Sequence, residues 1–134
     1  MPAIVWDDSL RTDIELIDGQ HRELFERANR LFEAVGRGKN DKAVGEALQF
    51  LMGYVKRHFH AEEKFMRAHA YPKLSAHSWQ HTDITQSLND LVAQFKRGGD
   101  MWIAMKVSRL FSGWIVNHIR QSDMDYVRFI HRKK

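Results

Sequence analysis

Apolar side chains recur every three to four residues in four segments of the chain, and this spacing predicts four helices. The segments cover residues 18–35, 41–68, 73–96 and 101–121. In the third segment, for example, Ile84, Leu88 and Val92 fall on one stripe. Because such a stripe must be buried against other helices, each segment is expected to contribute one face to a shared core.

Short breaks at residues 36–40, 69–72 and 98–100 separate the predicted helices. Asn40 or Asp41, and also Asp100, can cap the helices that follow, because their side-chain oxygens accept hydrogen bonds from free backbone N–H groups. Four long helices with short connections predict an all-α protein, an up-down-up-down four-helix bundle. Before it we expect an N-terminal extended arm anchored by Trp6, and after it a short C-terminal helical tail.

The composition adds limits to this picture. The chain has 134 residues, 43% of them hydrophobic, which predicts a single domain over residues 1–134. It contains no cysteine, which excludes disulfides, thiolate metal ligands and cysteine nucleophiles. We expect no integral membrane segment, because no apolar run reaches about 18 residues, and no secretory signal, so the predicted location is cytoplasmic. The net charge of +4 is scattered, apart from residues 132–134, and predicts no nucleic-acid partner.

Eight histidines are unusually many for this length, and several of them continue the apolar stripes. The polar residues predicted to point inward are His21, His58, Glu62, His77, His81 and His118. Residues four apart on a helix differ in direction by about 40° and residues two apart by about 200°. His60 and Glu63 therefore fall off the stripe and are expected to face water. Trp79 is expected to face outward, towards solvent or a neighbouring chain. His69 lies in a break and His131 near the C-terminus, and both are expected to be solvent-facing.

The inward polar residues also lie at one depth of the predicted bundle. His21 and His58 lie about 17 and 20 residues from the break near residue 38. His81 and His118 lie about 18 and 19 residues from the break near residue 99. All four are therefore roughly 26–30 Å along the helices from these breaks. Five imidazoles and a carboxylate in one apolar layer would cost several kcal/mol unless metal ions bound them. Five nitrogens are too many for one tetrahedral zinc, so two metal ions bridged by carboxylates are expected, with Glu62 as one bridge.

A second bridging acid is expected nearby, and Asp123 lies five residues after His118. Five residues turn a regular helix by about 140°, which takes Asp123 off the inward stripe. Asp123 can join the site only if the helix ends, tightens or bulges between the two residues. On spacing alone it is as well explained as a surface acid near the end of the helix.

Four pieces of the sequence, in this order, resemble the hemerythrin family and in particular its bacterial single-domain members. They are IDGQH ending at His21, HFHAEE with His58 and Glu62, HSWQH with His77 and His81, and WIVNHIRQSD with His118 and Asp123. The resemblance implies a non-haem centre of two iron ions. It assigns His77, His81 and His118 to one iron and His21 and His58 to the other. Both irons would be bridged by Glu62, Asp123 and an oxo or hydroxo group.

The same resemblance implies reversible O2 binding at the iron with two histidines, where one coordination position stays open. Nitric oxide and small anions are further candidate ligands, and an O2-consuming protein is a candidate partner. Candidates for an apolar wall around the bound ligand are Leu24, Phe59, Trp114 and Ile119, each next to or one turn from a ligand. Ordinary core packing explains Leu24, Phe59 and Ile119 equally well.

The expected function is carriage, storage or delivery of oxygen, which is binding and not catalysis. Two other functions stay open: a di-iron enzyme acting on peroxide or nitric oxide, and an O2 or redox sensing module that acts through a separate partner. Five histidines against two carboxylates disfavour the enzyme, because nitrogen-rich coordination makes high-valent iron harder to reach.

Overall fold

The computed structural model describes residues 4–133 of the chain, without the side chain at position 133. The four long helices are α1 (Glu15–Gly36), α2 (Asp41–Ala68), α3 (Leu74–Gly98) and α4 (Met101–His118). Each helix packs against the next, and α1 packs against α4, which closes the bundle. The predicted all-α, up-down-up-down four-helix bundle is therefore confirmed. Within residues 4–133 no helix is both long and apolar enough to span a membrane.

Local signals set the helix ends close to where the sequence predicts them. Asn40 precedes α2 and its side chain accepts a hydrogen bond from the backbone N–H of Ala43 at 2.9 Å. Asp100 precedes α4 and accepts from the N–H of Trp102 at 2.9 Å. Between α3 and α4, Gly99 adopts a left-handed conformation with φ of 63°, which suits glycine and ends α3.

The segment before α1 runs beside the bundle and contains one short 3-10 turn, Asp8–Leu10. Ile4 exchanges two hydrogen bonds with the side chain of Asn29, at 3.0 and 2.8 Å. Trp6 packs against the core, and the Arg22 guanidinium lies 4.3 Å from the centre of its ring.

Helix α1 begins at Glu15, three residues before the start that the apolar pattern predicts. Buried Asp18, in its first turn, accepts hydrogen bonds from both the backbone N–H and the hydroxyl of Thr12, each at 2.8 Å. These bonds tie the preceding segment to the helix, an interaction that no periodicity of apolar residues reports.

The chain stays helical past residue 121, the predicted end of the fourth bundle helix, and so contains the predicted short C-terminal helical tail. A π-helical turn, Ile119–Asp123, follows α4, and α5 (Met124–Lys133) continues from it. A π turn accommodates an extra residue without breaking the helix, so the chain continues as one helical element. This bulge is one of the three conditions under which Asp123 could reach the inward face.

The apolar core is divided into two clusters. The larger cluster fills most of the bundle and includes Leu24, Phe59 and Ile119. The smaller one lies near α5 and consists of Met66, Tyr71, Tyr126, Val127 and Ile130. Phe59 of the larger cluster stacks on His81, and Tyr126 of the smaller one donates a hydrogen bond to Glu62. The polar layer therefore lies between the two clusters, shielded on both sides.

Candidate metal centre

The side chains predicted to point inward meet in one buried layer. Those six and Asp123 are each at most 6% exposed. α1 supplies His21, α2 supplies His58 and Glu62, and α3 supplies His77 and His81. His118 ends α4, and Asp123 ends the π turn that follows. The π turn brings an Asp123 oxygen to 3.2 Å from His118 Nε2, so five-residue spacing and a shared face are compatible here.

The potential ligand atoms form two groups that share both carboxylates. The three-histidine group contains His77, His81 and His118, and the two-histidine group contains His21 and His58. Glu62 and Asp123 belong to both, and within each group the ligand atoms lie within 4.8 Å of one another. The structure thus offers two adjacent places for a metal ion.

Glu62 directs one oxygen to each group. Its Oε1 lies 3.2 Å from His77 Nε2 and 3.0 Å from His81 Nε2. Its Oε2 lies 3.6 Å from His21 Nε2 and 3.4 Å from His58 Nε2. A carboxylate divided in this way has the geometry needed to bridge two cations.

Asp123 divides its oxygens in the same manner. Its Oδ1 lies 3.0 Å from His77 Nε2 and 3.2 Å from His118 Nε2, whereas its Oδ2 lies 3.2 Å from His21 Nε2. The two acids therefore act as a pair, one from each side of the bundle.

The unmet bonding capacity of the site shows that it fits metal ions. Among the described residues, neither ring nitrogen of His21 and neither oxygen of Asp123 has a hydrogen-bond partner, and His58 Nε2 also lacks one. His118 Nε2 lies 3.1 Å from both His77 Nε2 and His81 Nε2. Imidazole nitrogens packed so closely repel unless a proton or a cation lies between them. A set of imidazoles and carboxylates suits iron, among other transition metals.

Two of the histidines are oriented from behind by polar residues. His58 Nδ1 lies 2.7 Å from Gln20 Oε1, and His81 Nδ1 lies 2.8 Å from Glu63 Oε2. With Nδ1–H donating outward, the Nε2 lone pair of each ring faces the centre of the site. These contacts fix both the tautomer and the orientation of the rings.

Glu63 corrects one expectation from the sequence. It was expected to face water, but it is half-buried and also accepts a hydrogen bond from Ser78 at 2.8 Å. A residue next to Glu62 lies about 100° around the helix, and this direction points to α3 instead of solvent. Only the position of the neighbouring helix decides this, so the sequence carries no signal for it.

The other residues expected to face water give a mixed result. His60 and His131 are exposed, and Trp79 is 70% exposed, as predicted. His131 nevertheless donates a hydrogen bond from Nε2 to the Thr12 carbonyl oxygen at 3.0 Å. His69 is half-buried, with Nδ1 3.0 Å from the Phe65 carbonyl oxygen, so its prediction is wrong. His69 directly follows the last turn of α2, and its ring centre lies 4.5 Å from that of Phe65 in that turn.

Tyr126 on α5 also belongs to the site, although the sequence pattern did not single it out. Its ring is fully buried and its hydroxyl donates a hydrogen bond to Glu62 Oε2 at 3.0 Å. A signal was present, because Tyr126 follows Asp123 by three residues, which is helical spacing. Because the fourth helix was predicted to end at residue 121, Asp123 and Tyr126 were not placed on one continuous helix.

The four predicted wall residues are all wholly or partly buried. Phe59 stacks on His81 with ring centres 3.9 Å apart, and Trp114 stacks on His118 at 4.1 Å. Both therefore lie against the three-histidine group. Leu24 and Ile119 are fully buried in the larger core cluster. Whether these four surround a bound ligand stays a prediction.

The electrostatics of the site favour charged groups in spite of burial. Burial acts to lower the pKa of His21 and of His77, but Asp123 and Glu62 outweigh it and raise both pKa values to about 9. For His118 burial prevails, and its pKa is lowered. Burial acts to raise the pKa of Glu62, yet His58, His21 and His77 hold it well below its usual range.

Asp123 follows the same balance. Burial and the charge of Glu62 act to raise its pKa, but the adjacent imidazoles of His118, His21 and His77 prevail and lower it. Without metal, protons on the histidines therefore neutralise the two carboxylates. Metal ions and protons compete for the same nitrogens, so metal binding must release protons.

A buried cluster of five histidines in two groups that share two acids, built on facing helices of a four-helix bundle, defines a helical-bundle metal-binding protein with places for two ions. Residues 12–130 match the family described as "Hemerythrin HHE cation binding domain". The chain belongs to the hemerythrin family. The resemblance inferred from the four sequence motifs is thereby confirmed.

The similar proteins agree with this assignment. The chain is 35% identical over 127 residues to a bacteriohemerythrin of Pseudomonas aeruginosa, covering 95% of this chain and 81% of that protein. It is 30% identical to a bacteriohemerythrin of Methylococcus capsulatus, covering 86% of each chain. A crystal structure of wild-type hemerythrin superposes with a TM-score of 0.87 at 28% identity, covering 95% of this chain and 97% of that one.

Proposed function

We propose that this protein binds O2 reversibly at a pair of iron ions, for carriage, storage or delivery of oxygen. The observation that carries the proposal is the unequal division of the histidines around two shared carboxylates. With one ligand atom from each residue, the three-histidine group offers five donors and the two-histidine group offers four. The second group therefore has one donor fewer, which leaves capacity for an external ligand. The similarity to proteins named bacteriohemerythrin supports the same function.

The residues have distinct roles in this proposal. One iron is held by His77, His81 and His118, and the other by His21 and His58. Glu62 and Asp123 bridge the two ions, because each presents one oxygen to either group. A bound pair of iron ions, with an oxo or hydroxo bridge, supplies the reversible exchange of electrons with O2. The two carboxylates offset part of the charge of the ions in a site closed to water.

The apolar residues around the polar layer protect the site. Leu24 and Ile119 are fully buried, and Phe59 is only 4% exposed. Together with half-buried Trp114 they are proposed to exclude bulk water and its protons from the bound ligand. Exclusion of protons favours release of the ligand unchanged over its conversion to another product.

A single spectroscopic experiment tests the proposal. Protein loaded with ferrous iron under anaerobic conditions is exposed to air and then to vacuum, and its visible spectrum and iron content are measured. We expect two irons per chain and an absorption band that appears with O2 and disappears under vacuum. Irreversible bleaching with consumption of peroxide would support an enzyme instead. One iron per chain would contradict the shared centre.

Several finer points stay predictions. Nitric oxide and small anions are candidate ligands for the same position, and an O2-consuming protein is a candidate recipient. The same anaerobic sample, exposed to nitric oxide in place of air, tests the first of these. Location in the cytoplasm is expected from the sequence.

A further inference from the structure

The two histidine groups differ in the residues that support them from behind. In the two-histidine group, His58 Nδ1 faces the neutral amide oxygen of Gln20 at 2.7 Å. In the three-histidine group, His81 Nδ1 faces a carboxylate oxygen of Glu63 at 2.8 Å. The support is therefore neutral on one side of the centre and charged on the other.

Glu63 is held firmly in this position. One oxygen accepts from Ser78 and the other from His81, so both oxygens bind residues one turn apart on α3. Its side chain is only 22% exposed. Phe59 restricts His81 from another direction, because its ring stacks on the face of the imidazole with an interplanar angle of 2°. Stacking on Phe59 therefore holds the tilt of the imidazole ring, and the hydrogen bond to Glu63 holds the direction of its Nδ1 edge.

We propose that Glu63 is a positioning residue for His81, and that the contrast between Glu63 and Gln20 makes the two metal positions electrically unequal. A carboxylate acceptor draws the Nδ1 proton of an imidazole towards itself and makes the opposite nitrogen a stronger donor. The stronger donor stabilises the more highly charged ion in the three-histidine group. A neutral amide does this less, so the two-histidine group keeps a less strongly held ion. This inference rests on the proposed di-iron centre.

Metal titration of three variants tests the positioning role. Glu63→Leu removes both the hydrogen bond and the charge, whereas Glu63→Gln keeps an acceptor and removes only the charge. Asp90→Asn is the matched control, because Asp90 is an exposed acid lining the same surface cavity as Glu63. Zn2+ serves as a redox-inert probe, and a competing chelator reports the affinity of each position.

We expect Glu63→Leu to weaken one of the two Zn2+ positions by about 10- to 100-fold and leave the other unchanged. Glu63→Gln should weaken the same position less, and Asp90→Asn should leave both as in the unaltered protein. Equal affinities in all four proteins would overturn the proposal. So would an Asp90→Asn variant that matches Glu63→Gln, because a general field in the cavity would then explain both. If Glu63→Leu fails to fold by circular dichroism, Glu63→Gln carries the test.

The reduction potential of the iron-loaded protein provides a second readout, which mere structural support would not move. Glu63→Gln should shift the midpoint potential to more positive values, because a charge that stabilises ferric iron is lost. The reverse exchange, Gln20→Glu, should shift it to more negative values, because His58 gains a charged acceptor. Unchanged potentials in both variants would contradict the inference. Failure of the unaltered protein to bind two metal ions would instead contradict the proposed function, so the two failures are distinguishable.

Discussion

At the scale of single residues, direction around a helix decides which side chains can reach the polar layer. His58 and His60 lie two residues apart on α2, and regular helical geometry places them about 200° apart. His58 is buried and its Nε2 faces Glu62, whereas His60 is exposed. Two residues of identical chemistry therefore have separate roles, and their substitutions have different expected effects.

Replacing His58 by alanine should remove one of the two irons, because the two-histidine group would keep a single imidazole. The matched variant His60→Ala should retain both irons, since His60 lies outside the site. Iron analysis of both anaerobically loaded proteins, together with the visible spectrum, provides the measurement. Loss of iron in His60→Ala with retention in His58→Ala would reverse the assignment of the two faces.

Tyr126 is a second residue whose substitution has a defined expected effect. Its buried hydroxyl donates to ionised Glu62, and hydrogen bonds to charged groups contribute about 1.5–3 kcal/mol. Tyr126→Phe should lower the free energy of unfolding of the metal-free protein by about this amount, as measured by urea titration. Tyr54→Phe is the control, because the Tyr54 ring lies beside Arg27, outside the polar layer. Equal losses in both variants would show that the bond to Glu62 contributes little.

At the scale of elements, the π turn decides whether the second acid joins the site. A regular helix from Ile119 onward would carry Asp123 about 140° from His118. The π turn brings both onto one face, and it also directs α5 so that Tyr126 reaches Glu62. This one irregular turn therefore positions both the Asp123 carboxylate and the Tyr126 hydroxyl in the polar layer. π turns are frequent at functional sites, which agrees with its place here.

Alanine substitutions at Gly99, which follows α3, and at Gly113, within α4, are expected to change stability in opposite directions. Gly99 has a φ of 63°, and an added Cβ would collide with the Asp41 carboxylate. Gly99→Ala should therefore lower the free energy of unfolding by about 1–2 kcal/mol. Gly113 lies within α4 with open space around it, so Gly113→Ala should raise that free energy by about 0.5–1 kcal/mol. Thermal unfolding of the metal-free variants measures both, and stabilisation by Gly99→Ala would contradict the geometry.

At the scale of the whole molecule, the polar layer is a cluster of coupled charges enclosed by two apolar clusters. Its carboxylates are ionised and its histidines neutralise them when no metal is bound. The stability of the metal-free fold therefore depends on pH, and the sign of this dependence follows from the direction of each pKa shift.

The pKa values of His21 and His77 are raised from 6.5 to about 9 in the folded protein. Their contribution to stability is fully present below pH 6.5 and is lost as the pH rises to about 9. The pKa values of Glu62 and Asp123 are lowered, so their contribution is present above their usual values of 4.5 and 3.8 and is lost as the pH falls. The metal-free protein should be most stable between about pH 5 and 6.5.

Thermal unfolding at a series of pH values measures this dependence. We expect the melting temperature of the metal-free protein to fall by several degrees between pH 6.5 and 9. A double variant, His21→Gln with His77→Gln, should lose part of that fall, because two of the titrating groups are gone while His81, whose pKa is also raised, remains. A melting temperature that rises over this range in the unaltered protein would contradict the raised pKa values.

The sequence by itself determined the helices, their order and six of the polar residues of the layer. This was possible because a regular helix repeats every 3.6 residues, so that residue spacing fixes direction. α2 follows the predicted bounds, and the i, i+4 pairs His58 with Glu62 and His77 with His81 lie in one layer as their spacing requires.

The tertiary structure alone decided the features that depend on which helix lies next to which. Glu63 bonds to α3 instead of water because α3 occupies the direction that the α2 pattern assigned to solvent. Asp123 reaches the layer through an irregular turn, and Tyr126 follows it there. The division of each carboxylate between two groups of histidines also arises only when all the helices are assembled. Periodicity gives the direction of a side chain from its own helix, and packing decides what that side chain meets.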